Sequence, residues 1–148
     1  MIAQTIQARR VTLRPFTAED VDDVFDYAAD PEWSRYLIAL PSSSYQRADA
    51  ERFVASQGLL DWASHPSWAI ELEGRAVGGL GVRFSAVHPT YPQLARIRAK
   101  TDARNARSLR VMEKLGVKQE GRLRSDRLFR DELVDEIVCG LLRDEWRG

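Results

Sequence analysis

The 148-residue sequence contains one cysteine, two histidines and no long apolar segment. Cys139 has no partner for a disulfide within the chain, so a disulfide scaffold is excluded and a reducing, cytoplasmic location is expected. His65 and His88 each stand beside a proline, apart from other metal-binding side chains, so we expect surface histidines and no metal site. No segment approaches the ~20 apolar residues of a membrane span, and the first residues lack the apolar core of a signal peptide.

The composition is that of a globular protein, with 44% hydrophobic and 30% charged residues. Its length predicts one domain over residues 1–148, because domains average roughly 150 residues. The formal net charge is zero, yet residues 96–130 carry 12 basic and 4 acidic side chains. Such a segment indicates either an anionic partner, such as a phosphate group, or an arginine-rich surface balanced by acidic neighbours.

The first half of the chain predicts a strand, two helices and a hairpin. The strand covers residues 11–16, the helices cover 21–28 and 46–60, and the hairpin strands cover 68–72 and 76–85. Thr17 and Asp20 form the pattern of a capping box before the first helix, and Asp30–Pro31 ends that helix. The other face of the first helix is acidic and could attract a cationic amine; it carries Glu19, Asp20, Asp22, Asp23 and Asp26.

The second half predicts a strand over 95–101, a helix from Asn105 to Gly116, and two strands over 117–124 and 134–142. Asparagine is a preferred N-cap, and the exposed amides at a helix N-terminus attract anions. Arginines at positions 104, 107 and 110 add positive charge there. The same pattern also fits a capped helix with a basic surface and no ligand. In the last strand, Cys139 is expected to pack in the core.

The segment N-x-x-S-x-x-V-x-E-K-L-G-V that begins at Asn105, followed by Glu120-Gly121, resembles the Asn-to-Gly motif of GNAT-fold N-acetyltransferases. It is most similar to the branch that acetylates the N-termini of ribosomal proteins. Three further segments resemble that branch in the same order, namely Thr12–Asp20, Ala76–Gly79 and Leu141–Trp146. The resemblance therefore covers nearly the whole chain.

This resemblance implies an α+β fold with a mostly antiparallel sheet flanked by helices. It also implies transfer of an acetyl group from acetyl-CoA to an amine, either a protein N-terminus or a small molecule. Asn105 matches a coenzyme contact of the family, and Ser108 matches a serine near the leaving sulfur. Asn105 and Ser108 are therefore predicted to bind acetyl-CoA, with Ser108 as the catalytic residue. Asp126 is a candidate general base, and a turn residue between strands is the alternative.

The chain departs from the family between the third and fifth strands of the pattern. The family places a fourth strand, a Gly-rich turn that holds the coenzyme pyrophosphate and a long helix there, whereas here only residues 86–94 separate Ser85 from Ala95. The resemblance thus implies an internally shortened GNAT fold. Either the third and fifth strands pair across residues 87–94, or a second copy fills the gap as a swapped homodimer, which we prefer.

Two other functions stay open. The chain could be an internally deleted relative with little or no activity that acts as a binding or partner subunit. It could also be a non-catalytic module that binds an anionic partner through residues 96–130, with an affinity that falls steeply with salt. Nucleic acid is a disfavoured partner, because Phe129 is the only aromatic residue in that basic stretch.

Overall fold

The structure, a computed structural model, describes residues 3–37, 45–83 and 95–146. Within these ranges the chain forms the strands and α-helices β1 (Ile6–Gln7), β2 (Thr12–Arg14), α1 (Val21–Ala28), α2 (Pro31–Ser34), α3 (Arg47–Gln57), β3 (Ser67–Leu72), β4 (Arg75–Gly81), β5 (Arg96–Asp102), α4 (Ala106–Lys114), β6 (Lys118–Phe129) and β7 (Glu132–Leu142). The chain divides into two compact units, residues 1–86 and 87–148. The single domain expected over residues 1–148 stays a prediction.

The first unit contains a four-stranded antiparallel sheet in the order β1-β2-β3-β4. Its core lies where α1 and α3 meet, around the buried residues Val24, Ala50 and Val54. Phe16 packs against this core and also covers Gly79 of β4, where an added Cβ would lie 3.2 Å from the ring. Glycine at this position therefore lets the aromatic ring lie directly on the strand.

The other face of this sheet is apolar and partly open to solvent. Cross-strand partners lie on one face, and the register places Ile6 opposite Leu13 and Leu13 opposite Ile70. Leu72 and Leu80 belong to the same face by alternation along β3 and β4, and they are 40% and 43% exposed. Aliphatic side chains thus face solvent on the side of the sheet opposite Phe16.

Local signals in the first unit are confirmed in most places. Thr17 and Asp20 form the predicted capping box, and α1 occupies the predicted residues. Pro31 does more than end a helix, since it is the first residue of the short α2, which Asp30 caps by accepting from the Glu32 amide at 2.9 Å. Proline suits a first helical position because it has no amide hydrogen to leave unbonded.

The second unit contains a three-stranded antiparallel sheet in the order β5-β7-β6. The central strand β7 buries Ile137, Cys139 and Leu141 on one face, which confirms the core position of Cys139. Its other face presents Glu136 and Gly140 to charged side chains of the two flanking strands. One face of β7 thus buries apolar side chains, and Glu136 on the opposite face forms ion pairs with Lys100 and Arg127 of the flanking strands.

Among the described residues, β4 is an edge strand of the first sheet and β5 is an edge strand of the second. The pairing of these two strands and the swapped homodimer both stay predictions. One predicted strand end differs from the structure. β6 runs to Phe129, five residues beyond its predicted end, because it bends through a register shift between Leu123 and Arg127 instead of turning. His88 and the predicted strand end at Ser85 lie outside the described residues. The predicted class, antiparallel sheets flanked by helices, is confirmed.

Candidate functional site

Helix α4 begins with the cap that the sequence predicts. The Oδ1 atom of Asn105 accepts a hydrogen bond from the backbone N–H of Ser108 at 3.0 Å. The N–H of Ala106 donates to the carbonyl of Arg104 at 2.9 Å, and that of Leu109 donates to the carbonyl of Asn105 at 3.1 Å. In the described ranges the N–H of Arg107 has no acceptor. One amide of the first turn is therefore left for a ligand.

Asn105 and Ser108 are brought together by this cap, as their spacing predicts. Both side chains are half-buried at the start of the helix. The Asn105 carbonyl oxygen is occupied by the Ser108 amide, so the Nδ2 amide group is the part of Asn105 that remains for a ligand. The first turn of α4 contains no acidic residue, so nothing there cancels the positive end of the helix dipole.

Of the three arginines predicted to add positive charge here, Arg104 has a different task. Its guanidinium donates to both carboxylate oxygens of Asp102, at 3.0 Å from Nε and 2.8 Å from Nη2, and it also reaches Glu132 at 3.2 Å. Asp102 is buried, and the side-chain hydrogen bonds from Arg104 hold its pKa below the ordinary value despite that burial. Arg104 is thus neutralised within the fold.

The other two arginines remain exposed. Arg107 and Arg110 form no ion pair among the described residues. They lie one turn apart on α4, close to the unbonded amide of Arg107. The start of α4 therefore offers two exposed cations and one fixed N–H group, which is a donor set suited to an anionic oxygen.

The candidate base Asp126 lies in the irregular middle of β6. It is exposed, inside the register shift, next to Ser125, which has a φ of 49°. The neighbouring Ser125 amide is bound by Asp135 at 2.9 Å, and Arg122 donates to the same carboxylate at 2.7 Å. Asp126 is thus a bulge residue within a strand, not a turn residue between strands, and its role as a base stays a prediction.

Four of the five carboxylates on the acidic face of the first helix are paired with arginines, and the exposed Glu19 has no ion pair among the described residues. Asp20 is buried and paired with Arg14 at 2.7 Å. Arg75 binds two further carboxylates of this face, Asp23 at 2.7 Å and Asp26 at 2.8 Å, and Arg47 pairs with Asp22. These arginines neutralise much of the face, and the attraction of a cationic amine stays a prediction. Sequence periodicity alone does not show such long-range partners.

The ion pair of Asp20 with Arg14 is the most buried of these contacts. Two guanidinium nitrogens bind the two carboxylate oxygens at 2.9 and 2.7 Å, and the Thr17 amide donates to the same carboxylate at 2.7 Å. Burial alone would raise the pKa of Asp20, but the bonds from Arg14 and Thr17 outweigh it and hold the pKa below its ordinary value. This carboxylate therefore stabilises the fold in its ionised form.

His65 belongs to a short polar turn. Its Nδ1 atom lies 2.9 Å from the Ser64 hydroxyl, which lies 2.7 Å from a carboxylate oxygen of Asp61. Across the described ranges, no group of three or more histidine, cysteine or acidic side chains could hold a metal ion. None of the helices in those ranges has the length and apolar character that crossing a membrane requires.

The sequence matches the family described as "Acetyltransferase (GNAT) domain" over residues 10–94. It is also 24% identical to the "Uncharacterized N-acetyltransferase p20" of Bacillus licheniformis over 177 aligned residues, which cover 98% of this chain and 99% of that protein. Because the family match covers more than half of the chain, this protein belongs to the GNAT acetyltransferase family.

Solved structures agree with this assignment at the level of the fold. A GNAT-family acetyltransferase from Bacillus anthracis is similar with a TM-score of 0.78 at 23% identity, covering 95% of this chain and 99% of that one. A ribosomal-protein-S5-alanine acetyltransferase from Vibrio fischeri is similar with a TM-score of 0.74 at 14% identity, covering 97% and 99%. The family members therefore share this arrangement of sheets and helices.

Proposed function

We propose that this protein is an N-acetyltransferase that takes the acetyl group from acetyl-CoA and transfers it to an amine. Membership of the acetyltransferase family carries the proposal. The start of α4 supports it, because the Arg107 amide and the Asn105 Nδ2 group are donors without a partner in the described ranges. Together with Arg107 and Arg110, these donors fit the polar and anionic groups of a coenzyme A molecule.

The reaction needs three things from the protein. The acceptor must lose its ammonium proton before its nitrogen attacks the thioester carbonyl, a donor must stabilise the developing charge on the carbonyl oxygen, and the thiolate that leaves must gain a proton. Ser108 is the residue we assign to the last step, with its hydroxyl as the donor to the sulfur. The carbon–nitrogen bond forms as the carbon–sulfur bond breaks. The ammonium proton goes to a base, for which the exposed Asp126 is the candidate, and the second proton that the nitrogen loses replaces the one that Ser108 gives to the sulfur.

The acceptor is an amine, either the N-terminus of a protein or a small molecule. A protein N-terminus is supported by the similarity to the ribosomal-protein-S5-alanine acetyltransferase of Vibrio fischeri, and by the sequence segments that resemble that branch. The largely neutralised acidic face of α1 supports neither acceptor. The proposed reaction is therefore acetyl transfer to an amine of either kind.

The short connection between β4 and β5 supports a weakened coenzyme site. Only residues 82–95 join Gly81 to Arg96, and the alignment with p20 extends over 177 positions, more than the 148 residues of this chain. We propose that the strand, the Gly-rich turn and the helix of the family pattern are absent from this segment. Hydrogen bonds to charged groups contribute about 1.5–3 kcal/mol each. Losing two or three lowers the affinity by about a thousandfold, so we expect millimolar binding of acetyl-CoA.

The experiment is a titration of acetyl-CoA into protein whose intact mass has been checked against 16.8 kDa. Backbone amide shifts report the binding, since they detect millimolar affinities. The expected result is saturable shifts of Arg107 and Ser108 with a millimolar dissociation constant, and slow acetylation of a peptide amine. The absence of any shift in α4 would reject the proposed enzyme.

Two other outcomes correspond to the alternative functions. Binding of acetyl-CoA without turnover of any amine would indicate a binding or partner subunit. Equal shifts with inorganic polyphosphate that vanish at high salt would indicate a module for anionic partners across residues 96–130. Micromolar binding by a chain of confirmed mass would show that the pyrophosphate site is rebuilt, and a swapped homodimer would then be sought by light scattering.

A further inference from the structure

Asp102 is a buried carboxylate that the proposed reaction does not use directly. It is the last residue of β5, and its side chain is 1% exposed. An ionised carboxylate is costly to bury unless donors surround it. Among the described residues, all the donors to this carboxylate come from Arg104, in the turn between β5 and α4.

The contacts of Asp102 hold this turn at several points. Its Oδ1 atom accepts from the backbone N–H of Arg104 at 2.9 Å and from the Nε of the same residue at 3.0 Å. Its Oδ2 atom accepts from Nη2 of Arg104 at 2.8 Å. Its backbone carbonyl accepts from the N–H of Asn105 at 2.9 Å. One residue thus fixes both Arg104 and the residue that caps α4.

The turn is also tied to the central strand of the sheet. The N–H of Ala103 donates to the backbone carbonyl of Asp135 in β7 at 3.0 Å. With Ala103 bound to β7 and Arg104 bound to Asp102, few directions remain in which the chain can enter α4. The position of the Asn105 side chain and the direction of the Arg107 amide follow from these bonds.

We propose that Asp102 is a positioning residue for the acetyl-CoA site, which aligns the start of α4 by binding the turn that precedes it. The inference rests on the proposed function, because the start of α4 is the part of the chain assigned to acetyl-CoA. Asp102 acts through Asn105 and Arg107 and does not touch the ligand. When the binding conformation is populated only part of the time, the apparent affinity equals the intrinsic affinity multiplied by the populated fraction.

The Asp102→Asn variant tests this role with little change in volume. The remaining carbonyl oxygen can keep the bonds made by Oδ1, but the new NH₂ group replaces the acceptor of the Arg104 Nη2 group. Two donors then face each other, and the turn loses its charge-assisted bonds. We expect about tenfold faster hydrogen exchange at the amides of Ser108 and Leu109, and about tenfold weaker binding of acetyl-CoA.

Glu136 provides a matched control. It is another buried carboxylate, lies directly opposite Asp102 in the register of β5 and β7, and is held by Lys100 and Arg127 instead of by the turn. The Glu136→Gln variant therefore removes a buried charge from the same sheet without touching the bonds of Ala103, Arg104 or Asn105. We expect a lower melting temperature, with exchange at Ser108 and Leu109 changed no more than exchange at Cys139 in β7.

Hydrogen exchange by NMR, acetyl-CoA titration and thermal unfolding are measured on wild type and both variants. Selective loss of protection at the α4 start in Asp102→Asn, with weaker acetyl-CoA binding, supports the inference. Equal changes at Ser108, Leu109 and Cys139 in the two variants would overturn it. If wild type binds no acetyl-CoA, the proposed function fails, and the exchange data alone still decide whether Asp102 aligns the start of α4.

Discussion

Arg96 of β5 and Glu120 of β6 form an ion pair that spans the central strand β7. The pair lies over Gly140, where an added Cβ would come within 2.7 Å of the Arg96 Nη2 atom. Glu120 sits at the register shift between Gln119 and Gly121, which gives it the reach toward β5. Gly140 has no Cβ and therefore leaves room for the ion pair that links the two outer strands across β7.

Replacing Gly140 with alanine should separate this ion pair while changing the free energy of unfolding by less than about 1 kcal/mol. The displaced atoms are the ends of flexible, partly exposed side chains, and such pairs contribute about 0–1 kcal/mol. A double-mutant cycle with Arg96→Ala and Glu120→Ala measures their coupling by urea unfolding. We expect a coupling of roughly 0.5 kcal/mol in the wild-type background and none in the Gly140→Ala background. An unchanged coupling would contradict the position of the pair.

Replacing Asn105 with alanine should weaken acetyl-CoA binding and also remove a helix cap worth about 1 kcal/mol. The control is Asp30→Ala, which removes the cap of α2, a cap with a similar bond of 2.9 Å to a backbone amide. Arg75→Ala, a variant far from α4 in the sequence, is a poor control, because it would break the ion pairs of Arg75 with Asp23 and Asp26. Titration of acetyl-CoA into both folded variants should show a loss for Asn105→Ala alone. Equal affinities would remove Asn105 from the site.

Replacing Ser108 with alanine should lower kcat more than it raises KM for acetyl-CoA. A proton donor to the leaving sulfur acts in the transition state, whereas the backbone bond of Ser108 to Asn105 is kept by alanine. General acid catalysis typically contributes about a hundredfold or more in rate. Steady-state kinetics with a peptide amine measure the change, and circular dichroism checks that the variant is folded. An unaltered kcat would leave Ser108 as a helix residue only.

Acidification should destabilise the protein through Asp20 and Asp102. Both carboxylates have a pKa below the ordinary value in the folded protein, so their stabilisation is complete above the unfolded pKa of about 4 and is lost as the pH falls through the lower, folded pKa. Urea unfolding from about pH 7 to about pH 2.5 should therefore show stability decreasing in the acid range.

The Asp20→Asn variant separates the contribution of the Arg14 ion pair. Removing one partner of a buried pair costs about 3–5 kcal/mol, so this variant should be less stable at neutral pH and should lose less stability on acidification than wild type. Parallel pH profiles for the two proteins would show that Asp20 titrates alike in the folded and unfolded states.

The sequence predicted local structure well because local structure depends on nearby residues. The Thr17–Asp20 capping box, the Asn105 cap and the helix end at Gly116, which has a φ of 73°, all follow from patterns within a few positions. The bonds that distant residues make were not predicted. Nothing close to Asp23 indicates that Arg75 binds it.

In the candidate site, too, the contacts between nearby residues could be predicted and those that depend on distant strands could not. The distance between Asn105 and Ser108 follows from helical geometry, so their contact could be predicted. The role of Arg104 could have been read from Asp102, two residues before it, because an aspartate at that spacing can bind the following backbone amide and its side chain. The bulge around Asp126 could not, since it depends on the register between β6 and β7.

Glu136 also determines which alignment of strands the second sheet can adopt. It is buried in the middle of β7, between Lys100 and Arg127 on the charged face, while Ile137 and Cys139 face the other way. A slip of β7 by one residue would carry this carboxylate away from Lys100 and Arg127, to the face on which Ile137 and Cys139 are buried. Replacing Glu136, Lys100 and Arg127 together by aliphatic residues would cost little stability, but it would make the slipped alignment nearly as favourable. The glutamate thus serves the accuracy of folding, and this triple aliphatic replacement is expected to yield mixtures of strand registers.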